Sequence, residues 1–180
     1  MTVLHQNEQR ALHELRQKDR ELRDYLLRNA LTESDSVGDS LLYVYELGRV
    51  LGNIKNHTSA IACILARQYL ESRHDVLSYD SCRKQQGARG LDIECELRGG
   101  GRIIGEVKTT IPYGGHKLGA AQTASFLKDF GRLTDETAVS KYFFVINEDS
   151  KNEAMYLISR GGFDSNIRVV NLIAVQGPKE

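Results

Sequence analysis

The feature that most constrains the fold is a pair of patterned segments joined by three glycines. Residues 91–97 alternate strictly, with Leu, Ile, Cys and Leu on one face and Asp, Glu and Glu on the other. Such alternation is typical of a half-buried β-strand. Gly99-Gly100-Gly101 predicts a turn, and residues 102–108 predict the return strand. The chain therefore contains a β-hairpin with an apolar face and a charged face.

The length of the turn decides which charged residues meet across the hairpin. With the three glycines as the loop, Glu94 faces Glu106. In the same register Asp92 faces Lys108. A two-residue loop would turn Glu106 and Lys108 toward the apolar face, which would cost several kcal/mol. We therefore predict a three-residue loop that gathers these four charged side chains on one face.

Facing carboxylates destabilise a sheet unless a cation lies between them. Asp92 and Glu106 supply two carboxylates, and the Val107 carbonyl could add a third oxygen. Mg²⁺ binds through few protein carboxylates and keeps several waters, which suits such a ligand set. Lys108 beside the metal could orient a water and stabilise an anionic phosphate. These groups together suit phosphodiester hydrolysis, whereas the alternative is an ordinary exposed strand face with alternating charges.

The rest of the chain predicts helices around a sheet. Helices are expected over residues 5–30, 41–51, 120–133 and from Ser59, as its N-cap, to about residue 73. Further strands are expected over residues 76–82, 142–146 and 167–175, and residues 154–159 suit a short helix or strand. This order predicts an α/β core with a central mixed sheet flanked by helices. We divide it into an N-terminal helical region, residues 1–56, and a core, residues 57–180.

The first helix carries a narrow leucine stripe that needs a partner surface. Leu12, Leu15, Leu22 and Leu26 follow three- and four-residue spacing, with Asp19 in one seam position. The pattern fits a dimer contact and intramolecular packing equally well. The apolar helix over residues 41–51 is a second candidate for a dimer contact.

Composition narrows the class of protein. The chain has no apolar run of eighteen residues, and its N-terminus is charged, so we expect neither a membrane span nor a secretory signal. Three scattered cysteines predict buried thiols in a reducing cytoplasm rather than a zinc site or disulfides. Formal net charge is zero, yet residues 83–132 hold more Lys and Arg than Asp and Glu. A phosphate-rich partner would suit that basic segment.

The hairpin resembles the PD-(D/E)xK nuclease superfamily, which has the restriction-endonuclease-like fold. The matching residues are Gly90-Leu91-Asp92-Ile93 and, after the glycine turn, Ile104-Gly105-Glu106-Val107-Lys108-Thr109-Thr110. The resemblance covers about residues 59–175. It implies that Asp92 and Glu106 bind Mg²⁺, for which Mn²⁺ can substitute, and that Lys108 serves the attacking water.

Two departures from the family pattern affect the expected metal ligands. Leu91 stands where the motif has proline, and no acid lies near the start of the helix before the hairpin. Glu46, in an otherwise apolar stretch, is therefore a candidate ligand, ahead of Glu71 at the helix end. Glu94, through its predicted register, is a further candidate.

The resemblance implies a DNA endonuclease of the type II restriction class that leaves 5′-phosphate ends. A homodimer would place two such sites on a duplex. The alternatives are a structure-selective nuclease, such as a Holliday junction resolvase or repair nuclease, and a non-catalytic nucleic-acid-binding module. Residues expected to contact DNA follow the hairpin or lie on the next helix: Thr109, His116, Lys117, Gln122 and Lys128.

Overall fold

The computed structural model describes residues 3–84, 88, 90–112 and 116–176. In that part of the chain the helices are α1 (Gln6–Arg28), α2 (Val37–Leu51), α3 (Ile54–Glu71), α4 (Ala120–Asp135) and α5 (Glu148–Gly161). The strands are β1 (Ile93–Glu96), β2 (Arg102–Lys108), β3 (Ser140–Val145) and β4 (Ile167–Asn171), and a 3₁₀ turn follows at Ala174–Gln176. None of these helices is long and apolar enough to cross a membrane.

The four strands form one mixed sheet in the order β1-β2-β3-β4. β1 and β2 are antiparallel, whereas β2, β3 and β4 run parallel. Ala62, Ala66 and Leu70 of α3 pack on one face of the sheet. Phe126, Phe130 and Leu133 of α4, with Ala154 of α5, pack on the other. The prediction of an α/β chain with a mixed sheet between helices is confirmed.

Several element boundaries differ from the sequence-based expectation. α3 begins at Ile54 with Asn53 as its N-cap, so Ser59 lies inside the helix and the predicted division after residue 56 falls within α3. Residues 154–159 belong to helix α5. β4 ends at Asn171, whose side-chain oxygen accepts backbone hydrogen bonds from Ile173 and Ala174 and so bends the chain.

The strand expected over residues 76–82 is reduced to a single bridge between Val76 and Leu97. Residues beyond the bridge are held by α1 instead. Asn7 donates to Asp80, and Ser81 donates to Glu8. These side-chain contacts draw the segment away from the sheet edge, so the prediction of a strand was wrong.

The hairpin register differs by two residues from the predicted one. Glu94 lies opposite Ile104, and Ile93 lies opposite Gly105. The Leu97 amide donates to the Gly101 carbonyl, so the three-residue loop is Arg98 to Gly100 rather than the three glycines. Gly100 has a positive φ of 92°, the left-handed geometry that this loop class requires. The loop length was predicted correctly and its position was not.

The shift changes which acid meets Glu106. Asp92, one residue before β1, now comes opposite Glu106, and the predicted pairs Glu94–Glu106 and Asp92–Lys108 were wrong. The charged face of β2 is also not open to water, because α4 covers it: Ile104 and Glu106 are both buried. Leu91 packs on this α4 side, not beside Ile93 as predicted.

Helix α1 is fixed to the core by an ion pair that water does not reach. Arg67 of α3 donates to both carboxylate oxygens of Glu8, at 2.6 and 2.7 Å. Both side chains are almost completely buried. Farther along α1, the Tyr25 hydroxyl donates to the Tyr43 carbonyl of α2. The first helix therefore packs intramolecularly on α3 and α2.

We expect Glu8→Ala to lower the free energy of unfolding by roughly 3–5 kcal/mol, because it leaves the Arg67 guanidinium buried without its partner. Glu14→Ala, which removes the exposed partner of Arg10 on the same helix, should change it by less than about 0.5 kcal/mol. Urea unfolding measures both. Equal losses would contradict the assignment of Glu8 as the anchor of α1.

The same pair predicts a pH dependence. Burial raises the pKa of Glu8, but hydrogen bonds from Arg67, Ser81 and the His5 backbone lower it further, so the net pKa is below its ordinary value. Its stabilising effect is therefore present above the pKa of the unfolded state and is lost as the pH falls through the folded pKa. Acid should destabilise Glu8→Ala less than the unsubstituted protein.

Two glycines provide a matched test of strand packing. A Cβ at Gly105 would lie 3.2 Å from the Tyr142 backbone oxygen of the neighbouring strand, which cannot move without separating β2 from β3. Gly105→Ala should therefore lower the free energy of unfolding by about 1–3 kcal/mol. At Gly131 in α4 nothing lies within 4 Å, so Gly131→Ala should raise it by about 0.5–1 kcal/mol. Thermal and urea unfolding should show that the two substitutions change the free energy of unfolding in opposite directions. A change in the same direction would refute this packing.

Candidate active site

Two carboxyl groups meet where the hairpin leaves the sheet. Asp92 precedes β1 and is exposed, whereas Glu106 in β2 is only 2% exposed. The Val107 amide donates to Asp92 Oδ2 at 3.0 Å and fixes this carboxylate beside β2. The register that pairs Ile93 with Gly105 brings Asp92 next to Glu106. The expected meeting of these two acids is therefore present, although by a different register.

The surroundings of Glu106 make its ionised form costly. Burial, with the neighbouring carboxylates of Asp92 and Asp129, raises the pKa of Glu106 to about 8, although Arg132 acts in the opposite direction. Burial alone disfavours a charge, and nearby like charges add to that effect. The cations of the site therefore do not keep Glu106 ionised at neutral pH.

Helix α4 holds this strand through a network of alternating charges. Arg132 donates to Glu106 at 2.6 Å and lies 3.4 Å from Asp129. Asp129 Oδ2 lies 2.5 Å from Lys108 Nζ. Lys108 also donates to the Ser125 hydroxyl at 2.9 Å. Lys108, expected to act beside the metal, is therefore held in place by two residues of α4.

Asp129 has one oxygen that the network does not satisfy fully. Its Oδ2 is an ion-pair partner of Lys108, but among the described residues it receives no hydrogen bond of good geometry. The side chain is also almost completely buried. A buried carboxylate oxygen in that state attracts a further proton or cation.

Asp129 was not expected at the site from the sequence, and Arg132 was expected only as a phosphate contact or a solvated residue of this helix, not as a partner of the hairpin acids. Ser125, Asp129 and Arg132 are four and three residues apart, which places them on one side of α4. Phe126 and Phe130 point into the core beside them. An acid at a position next to core aromatics was the available signal.

The three other candidate metal ligands lie elsewhere. Glu94 pairs with Arg102 at 2.6 Å on the exposed side of the hairpin. Glu46 pairs with Arg49 at 2.9 Å on α2, and Glu71 pairs with Arg67 at 2.6 Å. The structure therefore does not bring Glu94 or Glu46 to the Asp92–Glu106 pair. Val107 donates its amide hydrogen to Asp92. The role of its carbonyl as a metal ligand stays a prediction.

The predicted DNA-contacting residues are spread along the segment after β2. Thr109 lies within 3.5 Å of the Ser59 hydroxyl on α3. His116 is exposed and contacts Asp149 at 2.8 Å, and Lys117 beside it is exposed. Residues 113–115 of this segment lie outside the described residues.

The two predicted residues on α4 differ in character. Gln122 accepts from the Gly119 amide and donates to the Ile111 carbonyl, so it caps the helix and fixes the preceding segment. Lys128 is exposed on the outer side of α4. Only Thr109 among the five predicted residues contacts the α3 segment that borders Asp92.

A cleft opens beside Asp92. It has a volume of about 760 Å³ and lies between α1, the first half of α3 and the hairpin. Asp92 and Val107 form its floor, together with Cys63 of α3. Burial and the charge of Asp92 raise the pKa of the Cys63 thiol to about 12, which keeps that thiol protonated.

The residues present fit a divalent cation only with an incomplete protein ligand set. Within the described parts of the chain, no three His, Cys, Asp or Glu side chains form a metal-binding group. The carboxylates of Asp92 and Glu106 are adjacent, and Mg²⁺ commonly binds through one or two carboxylates and completes its shell with water. A divalent cation beside Glu106 would favour its ionised form, which burial and the neighbouring carboxylates disfavour.

Comparisons with protein-family models, with curated proteins and with solved structures found no match. The chemistry of the site residues is therefore the basis for the function proposed below.

We expect Arg132→Ala to lower the free energy of unfolding in EDTA by roughly 1–3 kcal/mol, because Glu106 and Asp129 lose the cation between them. Lys128→Ala on the same helix should change it by less than about 0.5 kcal/mol. Urea unfolding measures both variants. If the two variants were equally stable, Arg132 would not hold the carboxylates.

Proposed function

We propose that the protein is a metal-dependent nuclease that hydrolyses phosphodiester bonds in DNA. The observation that carries this proposal is the adjacency of the Asp92 and Glu106 carboxylates, with Lys108 two residues farther along the same strand. The mixed sheet with helices on both faces is compatible with a restriction-endonuclease-like core. The resemblance of the hairpin motif supports the same proposal.

The site residues have two roles: the acids would bind a cation, and Lys108 would position a proton donor. Asp92 and Glu106 would bind Mg²⁺, with Mn²⁺ as a substitute, and Asp129 adds negative charge behind them. A bound divalent cation would acidify a water and offset charge on the phosphate. Lys108, fixed by Asp129 and Ser125, presents an ammonium group that can orient a water or donate to a phosphate oxygen.

The restriction-enzyme assignment is also a proposal. A type II restriction endonuclease would act as a homodimer on duplex DNA and leave 5′-phosphate ends. Helix α2 offers an apolar surface for such a contact, because Val37, Leu41, Val44 and Tyr45 are all at least 59% exposed. Helix α1, the other predicted dimer contact, is already packed on α3 and α2.

The test is incubation of the purified protein with plasmid and oligonucleotide DNA in Mg²⁺, followed by mapping of the ends. We expect cleavage in Mg²⁺ and none in EDTA. Asp92→Asn, Glu106→Gln and Lys108→Ala should each reduce the rate by at least about 100-fold, since they remove metal ligands or a proton-transfer group. Discrete fragments would indicate a restriction enzyme, and cleavage of branched or unpaired DNA alone would indicate a structure-selective nuclease.

Glu94→Gln is the matched control. It neutralises an acid of the same hairpin that pairs with Arg102 rather than with the site, and it should keep the full rate. Cleavage that survives Asp92→Asn would overturn the catalytic assignment. DNA binding without any cleavage would favour the non-catalytic module.

A further inference from the structure

The N-terminal helix lines one side of the cleft beside Asp92. Asn7, Arg10, Ala11 and Glu14 of α1 form one wall, and the first half of α3 forms the facing wall. Among the described residues, the exposed Asp92 carboxylate borders the space between the two helices. Helix α1 thus borders the candidate active site, a position that the sequence analysis did not assign to it.

The α1 wall is rigid where it borders the cleft. The buried Glu8–Arg67 pair lies one turn before Arg10 and Ala11. His5 and Asn7 are held by Ser78 and Asp80 of the segment that follows α3. A wall fixed at three points on the core keeps its spacing from α3 when a ligand enters.

The size of the cleft selects among forms of DNA. Its 760 Å³ equals the volume of a cube about 9 Å on a side. A duplex is wider than its own major groove, which is about 12 Å across, so a whole duplex does not fit inside this volume. A few nucleotides of one strand fit, since pockets of roughly 300–1,000 Å³ enclose ligands of that size.

Two cationic side chains, those of Lys84 and Arg10, line the cleft. Lys84 donates to the Leu91 carbonyl at 2.6 Å and so lies next to Asp92. Arg10 lies on the opposite wall, 4.0 Å from Glu14, and both of these side chains are more than half exposed. Such an exposed pair holds its partners weakly, so Arg10 can exchange Glu14 for a phosphate.

The described lining contains no Phe, Tyr or Trp side chain. Single strands are commonly bound by stacking of bases on aromatic rings. Here binding would depend on phosphate contacts and on polar side chains such as His57 of α3 and Asn53, the N-cap of that helix. Such binding is strongly salt-dependent and tolerant of sequence.

We propose that the cleft between α1 and α3 receives one unpaired DNA strand and leads it to Asp92, with Arg10 as a phosphate contact. This proposal rests on the nuclease function proposed above, and it specifies single-stranded DNA or an unpaired DNA segment as the substrate in place of the duplex that a type II restriction endonuclease would cut. It assigns α1 to the substrate site instead of to a dimer contact.

The test is fluorescence anisotropy with a labelled 12-nucleotide strand, free or annealed to its complement, in Ca²⁺ at several salt concentrations. We expect the single strand to bind more tightly than the duplex. Arg10→Ala should raise the Kd for the single strand roughly threefold to tenfold. It should also reduce the salt dependence of log K by about 0.7, the value for one phosphate contact on a single strand.

Arg23→Ala is the matched control, because Arg23 has the same kind of exposed pair on α1, with Asp19, but does not line the cleft. It should leave Kd and salt dependence unchanged. Tighter binding of the duplex, or equal effects of the two substitutions, would overturn the proposal. If binding depends on Arg10 but no cleavage occurs, the cleft proposal stands and the nuclease function is rejected. If cleavage occurs but neither Kd nor KM depends on Arg10, the nuclease function stands and the cleft proposal is rejected.

Discussion

The rest of the site depends on a carboxylate, that of Glu106, which is buried in the central part of the sheet. A buried charge is tolerated only with partners close by. Arg132 supplies a hydrogen bond from α4, and Asp129 then joins Arg132 to Lys108. This network connects α4 to the part of β2 that carries the candidate metal ligand, and burial with the carboxylates of Asp92 and Asp129 still disfavours the ionised form of Glu106. A divalent cation bound there would favour that form, which is what the proposed function requires.

A second buried pair, Glu8 with Arg67, gives the N-terminal helix its place. Because α1 is fixed on α3, it forms a wall of the cleft that ends at Asp92. The two buried pairs therefore act at different distances from the chemistry. One sets the positions of the candidate catalytic groups, and the other sets the space through which a substrate approaches them.

Sequence alone predicted the hairpin, its three-residue loop and the mixed sheet, whereas only the resemblance of the motif put Asp92 and Glu106 together. Strand periodicity has a strong physical basis, because successive side chains of β1 alternate between the core and water. The position of the loop was not predictable, since three consecutive glycines satisfy more than one loop placement, and contacts of Gly101 with the preceding Leu97 decided it. Burial of both faces of β2 depends on α4, a long-range contact that no local pattern encodes. For the same reason Asp129 and Arg132 were not identified as partners of the hairpin acids, although their spacing on α4 is visible in the sequence.

The most direct test of the central claim is titration of Mn²⁺ into the protein, with free Mn²⁺ followed by electron paramagnetic resonance. The account predicts saturable binding that Mg²⁺ displaces, that is lost in Asp92→Asn and Glu106→Gln, and that persists in Glu94→Gln. Mn²⁺ binding of equal strength in all four proteins, or no saturable binding in the unsubstituted protein, would contradict it.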